Sequence, residues 1–307
     1  MKKVAVIGTG VIGNGWITRF LANGCEVVAY DPAHGAKERT MQTIENAWES
    51  VEQLGLKEGA SRDSLTFVDS IEEAVKDAHL IQESVPERYE LKHGVLKEID
   101  RFAHSNTIIG SSTSGIKPTD LQIDLNHPER LIVAHPFNPV YLLPLVEIVG
   151  GEATTKEIKD KALAYYESLQ MKPMVIEKEI EGFVADRLME ALWREALHLV
   201  NDGIATTEEV DKAVTYGAGL RWAQMGPFMT FHLAGGNEGM RHMLEQFGPA
   251  LKLPWTKLEA PELTDELKER VIQGCETHAN DRSVKELERR RNEFLVKLID
   301  LVEDYWP

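Results

Sequence analysis

Residues 4–13 read Val4-Ala5-Val6-Ile7-Gly8-Thr9-Gly10-Val11-Ile12-Gly13, and this run restricts the fold more than any other part of the chain. An uninterrupted apolar, largely β-branched run suits a strand covered on both faces. It breaks on a GxGxxG that opens a helix closed by Asn23-Gly24. Gly8 permits the tight turn, Gly10 lets the backbone approach a pyrophosphate, and Gly13 lets helix pack on strand. Free N–H groups and the helix dipole then favour an anion at that helix start. Gly8, Thr9, Gly10, Val11, Ile12 and Gly13 are therefore candidate cofactor-binding residues. A second strand, Glu26–Tyr30, ends at Asp31, at the spacing where an acid accepts the adenosine ribose hydroxyls. A carboxylate repels a 2′-phosphate, and Pro32, Ala33 and His34 supply no arginine to receive one, so NAD is favoured over NADP.

Further apolar runs at Ile108–Gly110, Leu131–Ala134, Leu145–Val149 and Pro173–Ile176 read as strands. Helical patterns span about Lys37 to Leu54 and a further stretch toward Glu83. Strands alternating with helices predict an α/β fold, a doubly wound, mostly parallel sheet. The pattern changes at Gly182. Val184, Leu188, Leu192, Ala196 and Leu199 recur at helical spacing up to Gly203, and more helices are expected at 207–217, 237–247, 264–280 and 283–305. A chain of 307 residues accommodates two cores. The expected division is a nucleotide-binding domain at 1–182 and an all-helical domain at 183–307. The apolar stripe Leu295, Leu298, Ile299 and Val302 of the last helix serves either a dimer contact or an intrachain core.

Charge and cysteine usage exclude several classes of function. Lys and Arg number 34 against 50 Asp and Glu, a net charge of −16 shared by both parts, which disfavours nucleic-acid binding through phosphate neutralisation. Cys25 and Cys275 lie far apart with neither metal-ligand nor disulfide spacing, so no metal is expected and a reducing, cytoplasmic setting is. The start, Met1-Lys2-Lys3 and an apolar run, imitates a secretion signal, but Gly8-Thr9-Gly10 breaks it without a cleavage site. No stretch approaches the roughly 18 apolar residues of a membrane span.

The residues that could carry chemistry follow strands. His135-Pro136-Phe137-Asn138-Pro139 begins where Leu131–Ala134 ends, at the sheet edge where open α/β sheets bind ligands. Glu147 interrupts the apolar run Leu145–Val149, and a carboxylate there must find a partner or change its protonation. Imidazole with a buried carboxylate makes a general base near neutral pH. Ser111-Ser112-Thr113-Ser114 follows another strand and offers hydroxyls to a reacting oxygen. Taken singly, each signal has a plain structural reading: a loop histidine, a turn of serines, a cap.

Together with Glu83-Ser84-Val85-Pro86-Glu87, Gly182-Phe183-Val184-Ala185-Asp186-Arg187 and Met225-Gly226-Pro227-Phe228, these motifs resemble the 3-hydroxyacyl-CoA dehydrogenase superfamily over essentially the whole chain. The resemblance implies a Rossmann-type sheet followed by a helical domain like the C-terminal domain of 6-phosphogluconate dehydrogenase, and a homodimer formed through that domain. It implies that Ser114 hydrogen-bonds the substrate oxygen, that His135 is the general base and that Glu147 orients it. Glu87 and Lys92 would lie near the nicotinamide end of NAD, with Ser112 on the cofactor side.

Departures from the superfamily bear on substrate. Asp186 stands where the superfamily usually has asparagine, and the segment Gly217–Pro227 is longer than in acyl-CoA members and carries Arg221-Trp222. An arginine there is similar to the branch that oxidises small free hydroxy acids, and a guanidinium suits a free carboxylate. The stretches Leu188–Leu197, Phe231–Gly236 and Gln246–Thr256 resemble the branch acting on carnitine, a 3-hydroxy acid with a quaternary ammonium. Such a cation prefers aromatic faces and a nearby carboxylate. Asp186, Trp193, Trp222, Phe228 and Phe231 are the candidates, and ordinary helical core is the competing reading for the aromatics. The implied reaction is oxidation of carnitine to 3-dehydrocarnitine. Gulonate or a short 3-hydroxyacyl-CoA are the alternatives, with a catalytically silent NAD-binding protein like λ-crystallin as a third.

Overall fold

The computed structural model describes residues 2–223, 226–235, 240–247, 253–257, 264–267, 282 and 284–305. The chain divides into two compact units, Met1–Asp186 and Arg187–Pro307. The division falls a few residues past Gly182, inside the helix Ala185–Asn201 (α7).

The first unit is built on eight strands: β1 Lys3–Ile7, β2 Glu26–Tyr30, β3 Leu65–Phe67, β4 Leu80–Glu83, β5 Ile108–Ser111, β6 Leu131–Pro136, β7 Leu145–Gly150 and β8 Lys172–Ile176. They form one sheet in the order β3-β2-β1-β4-β5-β6-β7-β8, parallel except at β6–β7. The order reverses between β1 and β4, and ligands of such sheets bind in the crevice at that switch. Alternation along β1 sends Val4 and Val6 to one face and Ala5 and Ile7 to the other. Helices α1 (Val11–Ala22), α2 (Ala36–Gln53) and α6 (Lys156–Glu167) cover the first face through Trp16, Phe20, Ile44, Trp48 and Tyr166. The short α3 (Ile71–Val75), α4 (Tyr89–Phe102) and α5 (Pro118–Gln122) cover the second through Ile71, Ala74, Leu96, Ile99 and Leu121. Each fully buried Phe, Ile or Leu among them contributes about 1.5–3 kcal/mol relative to leaving it in water.

One expectation fails here. The stretch predicted to be helical up to Glu83 forms β3, α3 and β4 instead, and β4 lies at the centre of the sheet. Its polar half, Gln82 and Glu83, hides it from an apolar pattern, yet both side chains are fully buried because both find partners.

The second unit has only helices among its described residues. After α7 come α8 (Thr207–Ala213), a π turn (Val214–Ala218), α9 (Gly219–Trp222), α10 (Pro227–Ala234), α11 (Met240–Phe247) and α12 (Val284–Tyr305). The helix expected at 264–280 is described only over 264–267, and 268–280 lies outside the described residues, as do Gln224, Met225, Gly236 and 248–252 of the motifs quoted above. On α12, Val296 is buried and Leu295, Leu298 and Ile299 are half-buried; the side chain of Val302 lies outside those described. Among the described residues no helix is long and apolar enough to cross a membrane.

Candidate active site

The glycine loop leaves β1 at the switch point. Gly8 has φ +91°, a left-handed conformation that penalises side chains, and a Cβ there would stand 2.8 Å from the Ser84 carbonyl. A Cβ on Gly13 would meet the Gly8 carbonyl oxygen at 2.0 Å. Gly10 meets nothing within 4 Å, so its backbone faces open space. It precedes α1, whose start has no side-chain cap. These glycines thus fit a cradle for a dinucleotide's phosphates.

A cavity of about 740 Å³ opens over this loop, bounded among others by Gly8, Gly10, Val11, Ile12, Asp31 and Ser84. Asp31 is held through both carboxylate oxygens. One accepts the N–H (2.7 Å) and hydroxyl (3.1 Å) of Thr9, and the other accepts the N–H of Ala33 (2.9 Å). Thr9, itself a residue of the glycine loop, thus holds Asp31 through both its N–H and its hydroxyl.

At the far end the same cavity reaches Glu87, Lys92, Ser112 and Ser114. Lys92 is almost wholly buried, with its ammonium 3.0 Å from Glu83 and 3.3 Å from Glu87. Glu83 also accepts from the Val85 N–H (2.7 Å) and the Ser111 hydroxyl. Glu87 accepts from the Thr113 hydroxyl and from the N–H groups of Ser114 (3.0 Å) and Gly115 (3.3 Å). Two carboxylates and one ammonium thus tie the end of β4 to the serine turn after β5. Glu83 belongs to this framework, and it does not stand out from sequence as a site residue because the stretch before it reads as helix and its partners come from other segments.

Next along the edge, β6 and β7 pair antiparallel with His135 directly opposite Glu147. Nδ1 of His135 lies 2.8 Å from one Glu147 oxygen, with both residues buried. The other oxygen accepts the N–H groups of Val184 (3.0 Å) and Ala185 (2.9 Å), at the start of α7. Burial pushes the Glu147 carboxyl up, but the His135 hydrogen bond and these two backbone bonds outweigh it and hold it below the usual carboxylate value. Nε2 of His135, the nitrogen Glu147 does not contact, lies 3.6 Å from an Asp186 carboxylate oxygen. The ring is packed edge-on by Phe137 (centroids 5.2 Å) and tilted against Phe183 (5.5 Å). Phe183 has φ +45°, unusual for a bulky residue, and is fully buried. Neither aromatic was identified from sequence as supporting the imidazole, because such contacts require the fold.

Of the second unit's candidates, Trp193 follows Asp186 by two turns of α7. Arg221 and Trp222 end α9 just after the π turn, and Phe228 and Phe231 lie on α10. All five side chains are exposed, Phe228 by 80%.

Comparison with known proteins accords with this geometry. The family described as 3-hydroxyacyl-CoA dehydrogenase matches twice, through its NAD binding domain at residues 3–180 and its C-terminal domain at 182–273. A protein of Oceanobacillus iheyensis named L-carnitine dehydrogenase is 94% identical over 307 residues, covering all of both chains. Proteins of that name from Bacillus cereus (64% identical, 100% of this chain and 94% of that one) and Pseudomonas aeruginosa (54%, 99% and 95%) are also similar. Among solved structures, 5-formyl-3-hydroxy-2-methylpyridine 4-carboxylic acid 5-dehydrogenase, described as an NAD+-dependent dismutase, superposes with a TM-score of 0.83 at 29% identity, covering 99% of each chain. (S)-3-hydroxybutyryl-CoA dehydrogenase from Ralstonia eutropha gives 0.64 at 25% identity, covering 91% of this chain and 94% of that one. The sheet with its glycine loop is an NAD-binding domain, and the chain belongs to the 3-hydroxyacyl-CoA dehydrogenase family.

Proposed function

We propose that this chain oxidises the 3-hydroxyl of L-carnitine to 3-dehydrocarnitine, with NAD as oxidant. The carrying observation is the full-length 94% identity to the Oceanobacillus iheyensis protein named for that activity. Bound NAD supplies the hydride acceptor. His135 takes the hydroxyl proton on Nε2, because Glu147 occupies Nδ1 and stabilises the imidazolium that forms. Ser114, on the same cavity as the glycine loop, steadies the developing oxyanion. Asp186 offers a carboxylate beside His135 to the substrate's quaternary ammonium, and Trp193, Trp222, Phe228 and Phe231 offer the aromatic faces that such a cation prefers. Arg221 takes the substrate carboxylate through paired hydrogen bonds. These assignments to the second unit rest on residue chemistry.

NADH formation measured in parallel with L-carnitine, L-gulonate and 3-hydroxybutyryl-CoA tests the substrate. Turnover of carnitine alone is expected; preference for either of the others would overturn it. The reading extends to a homodimer in the cytoplasm. Leu188, Met189 and Leu192 on α7 leave apolar surface exposed, which a second copy would cover, and the two cysteines fit a reducing compartment. Sedimentation equilibrium is expected to give twice the 34.5 kDa chain mass.

A further inference from the structure

Beneath the cavity a chain of polar side chains runs through the sheet from α6. The Tyr166 hydroxyl donates to Gln82 Oε1 (2.7 Å), and Gln82 Nε2 donates to Ser112 Oγ (2.7 Å) and, longer, to the Ala134 carbonyl (3.4 Å). Trp16 Nε1, which can only donate, also gives its proton to Ser112 Oγ (3.2 Å). Ser112 Oγ stands 2.9 Å from Ser84 Oγ. The place for the chain is made by Gly110, where a Cβ would stand 2.7 Å from the Tyr166 hydroxyl and 3.1 Å from Gln82 Oε1.

Counting donors fixes the direction of every bond. Burial raises the Tyr166 phenol well above its ordinary value, so it remains a donor. The Ala134 carbonyl accepts only, which puts the amide nitrogen of Gln82 on the Ser112 side. Both lone pairs of Ser112 Oγ are then taken, by Gln82 and Trp16, and its single proton goes to Ser84. Ser84, having accepted, has its own proton to give. It is half-buried, lines the cavity, and abuts the glycine loop: its N–H bonds the Ile7 carbonyl (2.8 Å) and its Cβ lies 3.5 Å from where a Gly13 Cβ would stand.

We propose that Ser84 is a cofactor-binding residue, its hydroxyl proton directed by the Tyr166–Gln82–Ser112 chain toward an acceptor oxygen on the pyrophosphate–ribose backbone of the dinucleotide. Ser112 then acts through Ser84, as a positioning residue. No step of the oxidation passes through this chain, and the assignment does not depend on which alcohol is oxidised.

Binding measured without turnover tests it, by fluorescence titration of NADH and calorimetry of ADP-ribose on the full-length protein. Ser84→Ala should weaken both ligands about 3- to 10-fold, the range of one neutral hydrogen bond. Gln82→Glu replaces the donor facing Ser112 with an acceptor. Ser112 must then donate to residue 82 and Ser84 to Ser112, so the Ser84 proton leaves the cavity. A similar loss is expected, and the double variant should lose no more than Ser84→Ala alone. Unchanged affinity in Ser84→Ala would overturn the proposal, and this variant keeps it falsifiable should Gln82→Glu fail to fold. So would a loss confined to NADH, which would place the acceptor on the nicotinamide, or additive losses, which would mark Gln82 as acting independently of Ser84.

Discussion

The two units differ in how far each satisfies itself. In Met1–Asp186 the apolar side chains fill both faces of the sheet, and Gln82, Glu83, Lys92, Ser111, His135 and Glu147 are buried with partners inside the same unit. In Arg187–Pro307 the buried apolar side chains among those described are Leu197, Val200, Leu267 and Val296. Large apolar groups such as Leu188, Ile204, Tyr216, Leu220, Phe228 and Trp255 are exposed there. The groups to which the chemistry is proposed stand on the self-sufficient unit, where packing locks their rotamers. The second unit leaves more of its described large apolar side chains exposed, the surface on which the proposed dimer contact rests.

That contrast can be broken most directly at His135. His135→Ala is expected to lower kcat by about 10²–10⁴-fold while NADH affinity stays near that of the parent; near-normal turnover would remove the chemistry from the first unit. A smaller effect is expected at Arg221, where Arg221→Ala should raise the KM for carnitine about 10- to 100-fold, the value of charge-assisted hydrogen bonds. Because the side chain is exposed, melting temperature should not move. Arg221→Lys should recover only part of the loss, since an ammonium cannot reproduce the paired geometry.

Glu147 sharpens the comparison through stability. Its carboxyl is held below the ordinary value of 4.5 in the folded protein, so the unfolded chain protonates first as pH falls. The stabilisation is complete above that ordinary value and disappears as pH drops through the depressed folded one. Denaturant unfolding between about pH 5 and 2 should therefore be flatter for Glu147→Gln than for the parent. The smallest effect is expected at the surface of the first unit. Lys156 and Asp160, 2.7 Å apart but both exposed, form a one-turn helical pair, and Lys156→Ala should leave the denaturant midpoint unchanged within error.

The glycine loop was legible in sequence because each glycine answers a local demand, and the structure returns the close contacts at Gly8 and Gly13 and the open face at Gly10. The His135–Glu147 pair was legible for a related reason: a carboxylate inside an apolar strand needs a partner, and register alone sets it opposite the imidazole. β4 was not legible, because its Gln82 and Glu83 are polar residues whose partners come from distant segments: Ser112 and Tyr166 for the first, Lys92 and Ser111 for the second. The Thr9–Asp31 contact was not legible either, since the two residues become adjacent only when β1 and β2 pair.

Sequence alone determined the alternation of strands and helices, the nucleotide loop, the acid that follows the second strand and the residue types available for proton transfer. Those follow from near neighbours along the chain and from the periods of helix and strand. The tertiary structure decided which serines border the cavity and which nitrogen of His135 meets Glu147. It also decided that the start of α7 braces Glu147 and that Asp186 stands beside the imidazole. A hydrogen bond has direction and a fixed number of partners, and those partners are assigned only when strands far apart in sequence are brought into register.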